Sequence, residues 1–162
     1  MQPIELTSKL DAPAGRVWER ISTFEGVNDE LRPLLRMTAP RHLRTLDPAD
    51  VHLGERSFRS WVLLFGLLPV DYDDLTLIAL EPGRGFHERS RLLSMRVWEH
   101  ERWIEPDGAD ACVLRDQLTF EPRGALPRRL AAAVVRALFR HRHRRLRRHF
   151  GGSAVSAGER QR

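Results

Sequence analysis

Four side chains able to carry acid–base or charge chemistry fall on predicted sheet faces. Strand alternation groups Phe86, Glu88 and Ser90 on one face, and Trp98, His100, Arg102 and Ile104 on one face of the next strand. On the last predicted strand Leu114, Asp116, Leu118 and Phe120 go together. The aromatic and aliphatic members mark these as interior faces, so Glu88, His100, Arg102 and Asp116 are expected to line an enclosed space. A lone buried carboxylate is costly, so such groups must pair. His100 with Asp116 or Glu88 is the obvious couple, and Arg102 can satisfy a second carboxylate. The cluster could then orient a polar group of an otherwise apolar ligand, and a histidine held by a carboxylate could act as general acid or base. The plainer alternative is a satisfied polar pair that fixes strand register.

Other chemistries find little support. His141, His143 and His149 do not share a helix face at ligand spacing, and Cys112 has no second thiol, so no metal is expected. Cys112 itself reads as a small apolar strand residue rather than a nucleophile. Gly-x-Ser-x-Gly, P-loop and Gly-x-Gly-x-x-Gly motifs are missing, so neither a serine hydrolase nor a nucleotide cofactor is implied, and no cofactor is expected.

The elements that must position the cluster follow from periodicity. Ile4, Leu6, Ser8 and Leu10 alternate as a half-buried first strand. Asp11 reads as an N-cap, with Pro13 in the opening turn and Val17, Trp18 and Ile21 at helical spacing. A second short helix is expected around Glu25 to Leu34, then a short strand near Leu35 to His42. From Gly54 onward an antiparallel meander is expected, with alternation through Phe58–Leu64, Tyr72–Leu80, Phe86–Arg91, Met95–Glu105 and Ala111–Glu121. The apolar stretch Val62 to Val70 spans a predicted hairpin tip. It could close a cavity mouth, make a dimer contact, dip into a membrane or pack under another element. From Pro127, Leu130, Val134, Leu138, Phe139, Leu146 and Phe150 mark one amphipathic helix of about 35 Å. Gly151-Gly152 ends it, and residues 151–162 are expected to be a disordered tail.

Charge is unevenly placed. The 162 residues carry a net charge of +5, but nine arginines between Arg128 and His149 stand without any acid. Removing those nine and the +1 of the tail leaves about −5 on residues 1 to 127. The basic helix 128–149 could meet an anionic membrane surface or an acidic partner, or be a solvated face. Nucleic acid is the weakest of these readings, because no helix-turn-helix, zinc-finger or RNA-binding aromatic signature accompanies the charge. With 41% hydrophobic and 30% charged residues the chain reads as globular, and its nine-residue apolar run is too short to span a bilayer. The Met1-Gln2-Pro3-Ile4-Glu5 start lacks a signal pattern, so a cytoplasmic location is expected.

The element order, strand, two helices, six strands and a long helix, resembles the START-like or SRPBCC superfamily. The residues carrying the likeness are Ala12-Pro13-Ala14-Gly15-Arg16-Val17-Trp18, Gly85-Phe86-His87-Glu88 and Trp98-Glu99-His100-Glu101-Arg102-Trp103. Asp116 to Pro122 and Leu138 to Leu146 complete it, over residues 3 to 150. The resemblance is nearest to polyketide cyclase/dehydrase-like and lipid-transport-like members. It implies an α+β helix-grip fold over residues 1–150, a seven-stranded curved antiparallel sheet wrapped on the C-terminal helix. It also implies a cavity holding a hydrophobic small molecule, a lipid or polyketide-like compound. Ligand contacts are then expected from Phe86, Glu88, Trp98, His100, Arg102, Asp116, Phe120 and Leu138. The alternatives are a cyclase or dehydratase using His100 with Asp116 or Glu88, and an interaction module working through the arginine-rich helix.

Overall fold

The structure, a computed structural model, describes residues 3–40, 45–46, 51–124 and 127–155. After the first strand β1 (Ile4–Leu10) come two short helices, α1 (Ala14–Ile21) and α2 (Phe24–Leu31). Five strands follow a short β2 (Leu35–Met37): β3 (Arg56–Leu64), β4 (Leu68–Glu81), β5 (Gly85–Leu92), β6 (Met95–Pro106) and β7 (Cys112–Pro122). The long helix α3 (Arg128–Phe150) precedes a last strand, β8 (Gly152–Ala154). Among the described residues these eight strands form one sheet in the order β2-β3-β4-β5-β6-β7-β1-β8, and every neighbouring pair is antiparallel.

The α+β helix-grip architecture is therefore as expected, with one strand more than the seven read from sequence. The extra strand lies in the stretch expected to be disordered. Gly152–Ala154 pair with Leu10–Ser8, and the Val155 amide donates to the Thr7 carbonyl at 3.1 Å. Glycine makes this possible: φ at Gly152 is 115°, and a Cβ there would stand 2.0 Å from the Lys9 carbonyl oxygen. Polar composition read as a tail; local backbone pairing to an open sheet edge decides otherwise. Residues 156–162 lie outside the described residues.

Smaller differences have equally local causes. Helix α1 takes Pro13 as its N-cap, not Asp11, because the fixed φ of proline already suits a helix entry. Helix α2 is capped by Thr23, whose hydroxyl accepts from the Gly26 amide at 3.0 Å, and it ends at Leu31, ahead of Pro33. Strand β2 is only three residues long, and positions 41–42 of the expected strand lie outside the described residues.

Helix α3 buries Phe139 and Leu146 of the anticipated stripe, but its other inward positions differ from those expected. Ala131, Val135, Phe139, Arg142, His143 and Leu146 face inward, whereas Leu130 and Val134 are exposed. Periodicity alone cannot choose between two apolar stripes one residue apart; packing against β1 and β7 does. The inner stripe joins two apolar clusters, one with Leu10, Val17, Ile21, Ile104 and Leu114, the other with Ile4, Met95, Leu118 and Phe120. No helix among the described residues is long and apolar enough to cross a membrane.

Candidate functional site

Sheet register sets the centre of the site. Strands β6 and β7 place Arg102 directly opposite Asp116, and β5 and β6 place Glu88 opposite His100. Arg102 grips Asp116 with two parallel bonds, Nε to Oδ1 and Nη2 to Oδ2, each 2.7 Å. Its remaining nitrogen, Nη1, reaches Glu30 on α2 at 3.0 and 2.9 Å. His100 Nε2 lies 3.0 Å from Asp116 Oδ1, and His143 Nε2 on α3 lies 2.9 Å from Oδ2. Arg142, the neighbour of His143, donates Nε to Glu30 Oε2 at 2.9 Å.

These contacts fix one ring proton on each histidine. Asp116 accepts four bonds, so both imidazoles present an Nε2–H to it. The Nδ1 of His143 is hydrogen-bonded to the Ser8 hydroxyl at 2.8 Å, and that hydroxyl accepts from Arg147 Nη1 at 2.7 Å. Burial alone would raise the Asp116 carboxyl, but the Arg102 guanidinium outweighs it and holds the group well below the usual carboxylate range. Burial likewise works against the Arg102 charge, and Asp116 and Glu30 together overcome it and raise the group further.

In front of this network lies a pocket of about 390 Å³, walled by β3 to β6, by α2 and by the Val134–Arg142 stretch of α3. Of the residues expected to contact a ligand, Phe86, Glu88, Trp98, His100 and Leu138 are on its wall. Arg102 and Asp116 are completely buried behind that wall, and Phe120 backs Trp98 at a ring separation of 6.4 Å. His100 is the junction: its ring makes T-shaped contacts with Phe86 and Phe139, its Nε2 serves Asp116, and its Nδ1 is 3.7 Å from Glu88 Oε2. The apolar hairpin tip divides, with Val62 and Val70 on the pocket wall and Phe65 and Leu67 turned outward, 63% and 81% exposed.

Sequence reasoning missed Glu30, Arg142, His143, Ser8 and Asp73. Arg142 and His143 were hidden in the arginine run, although they sit three and four residues after Phe139 and so on its face. That run is in fact divided: Arg142, Arg145 and Arg147 turn toward α2 and β1, with Arg145 Nη2 on Asp29 at 2.8 Å, while Arg128, Arg129, Arg136, Arg140, Arg144 and Arg148 are exposed. Asp73 was hidden by strand phase. The buried face of β4 carries Asp73, Leu75 and Leu77, and the two leucines were the available signal. Among the described residues no group of three or more His, Cys, Asp or Glu side chains is arranged to hold a metal ion.

Residues 8–150 match the family described as Domain of unknown function (DUF8410). No curated protein matches the chain. Solved structures show its fold. A START superfamily protein from Mycobacterium smegmatis is 12% identical with a TM-score of 0.66, covering 93% of this chain and 97% of that one. The Zhui aromatase/cyclase from a Streptomyces species is 19% identical with a TM-score of 0.58, covering 97% and 98%. An HSP90 activator from Plasmodium falciparum is 7% identical with a TM-score of 0.64, covering 96% and 100%.

Proposed function

We propose that this chain, which belongs to the DUF8410 family and has the START-like fold, binds an apolar small molecule between its sheet and α3. The carrying observation is the pocket of about 390 Å³, whose walls are mostly aliphatic and aromatic and whose polar groups converge on Glu88 and His100. That combination is what small-molecule sites need: apolar walls for affinity and a few fixed polar groups for orientation. The test is saturable binding of a neutral apolar fluorophore, N-phenyl-1-naphthylamine, to the full chain. One site is expected, lost in Leu138→Trp, which fills the pocket from α3. Absence of saturable binding overturns the reading.

A second reading is acid–base catalysis of the cyclase or dehydratase type. What favours it is His100, oriented by Asp116 at 3.0 Å and set on the pocket wall beside Glu88. The likeness to an aromatase/cyclase adds the fold but no residue role. Turnover of a polyketide-like substrate that disappears in His100→Phe, with binding retained, would select this reading over simple carriage.

A further inference from the structure

Two carboxyl groups stand in the pocket wall without a committed cation. Asp73 on β4 and Glu88 on β5 both line the pocket, and each residue is 6% exposed. Asp73 Oδ1 and Glu88 Oε1 have no hydrogen-bond partner among the described residues. The His100 ring lies beside one of them, its Nδ1 3.7 Å from Glu88 Oε2. This contrasts with the network behind the wall, where Asp116 and Glu30 are fully engaged by Arg102, Arg142 and the two histidines.

The other charged groups around the pair are already occupied. Asp71, two residues earlier on β4, accepts from the Leu93 amide at 2.8 Å and from Ser94. Arg142, reaching the pocket from α3, is held by Glu30 and lies over the Phe139 ring at 4.8 Å. The Ser90 hydroxyl touches both carboxyls, and Asp73 and Glu88 hydrogen-bond to one another, but neither contact supplies a positive charge.

We propose that the Asp73–Glu88 pair recognises a basic nitrogen, so that the ligand of this pocket is an apolar amine. The inference rests on reading the pocket as an apolar ligand site. An ammonium group has three diverging donors and one positive charge, which is what two neighbouring carboxyl groups, each with one oxygen lacking a hydrogen-bond partner among the described residues, can use. A hydroxyl would satisfy one lone pair and leave the charge; a carboxylate ligand would be repelled. Burial, and then the Glu88 charge, push the Asp73 carboxyl well above its ordinary range. Burial also opposes the Glu88 charge, but His100 holds that group lower. An ammonium seated between the two carboxyls favours the ionised form of Asp73, so amine binding releases protons to solvent.

The experiment compares decylamine, 1-decanol and decanoate by titration calorimetry on the full chain, in buffers of differing ionisation enthalpy, alongside the neutral fluorophore. Decylamine is expected to bind on the order of tenfold or more tighter than 1-decanol, with net proton release. Asp73→Asn should keep 1-decanol binding, lose the preference for the amine and release no proton, and Glu88→Gln should also lose the preference. Equal affinities for amine and alcohol, or a preference untouched by both substitutions, overturn the inference while saturable fluorophore binding keeps the apolar pocket. If neither the fluorophore nor any of the three compounds binds, both fail.

Discussion

His143 on α3 places its Nε2 2.9 Å from Asp116 Oδ2 on β7, so the C-terminal helix is fastened to the sheet by a buried ionic hydrogen bond as well as by apolar packing. The contact sits one residue from Arg142–Glu30, which ties the same helix turn to α2. His143→Ala removes a donor to Asp116, strands the Ser8 hydroxyl and opens a cavity. A loss of about 2–4 kcal/mol is expected, read from the urea midpoint. His143→Gln keeps an N–H for Asp116 and should lose less. Equal losses in the two variants would mean the bond contributes nothing beyond volume.

Arg102 bridges two carboxylates from different elements, Asp116 on β7 and Glu30 on α2, and is itself wholly buried. Removing one member of such a group leaves the others desolvated and unpaired, at about 3–5 kcal/mol, whereas removing complementary members together costs less. Arg102→Met and Glu30→Met should therefore each destabilise strongly, and the double variant should lose clearly less than the sum of the singles. Additive losses in a double-mutant cycle would show that Glu30 is held by Arg142 alone.

What the sequence made legible follows one physical divide. Period-two alternation on β5, β6 and β7 placed Glu88, His100, Arg102 and Asp116 on interior faces, because those strands carry apolar residues at the same phase. The partners that came from other elements were not legible. Glu30 and Arg142 are charged residues on helices, where composition argues for solvent, and only the three-dimensional meeting of α2, α3 and β6 buries them. Local pattern also could not say that Arg102 and Asp116 stand behind the pocket wall rather than on it; that depends on how deep α2 and α3 press into the sheet.

Acid should loosen the grip of α3 on the sheet. The Asp116 carboxyl is held well below its unfolded value of about 3.9; burial works against this, and Arg102 and then His100 overcome it. The sign follows from linkage: stability from this group is fully present above the unfolded value and is lost as pH falls through the folded one. Urea midpoints measured from pH 6 downward should fall more steeply for the wild type than for Asp116→Asn. Parallel curves would assign acid sensitivity to other carboxylates.

Asp73 should behave in the opposite sense. Burial, then the neighbouring Glu88, raise its folded value, so the neutral form is the one the fold favours. Its contribution is complete below the unfolded value of about 3.9 and is lost as pH rises through the folded value. Asp73→Asn keeps the shape and removes the ionisation. The variant should match the wild type near pH 3.5 and gain on it as pH rises above the unfolded value, with the urea midpoint as the readout. Saturating decylamine should close that gap for the wild type alone, because the ammonium supplies the charge that ionised Asp73 lacks. A gap that does not change with pH would mean that the carboxyl is solvated in the pocket and keeps its ordinary acidity.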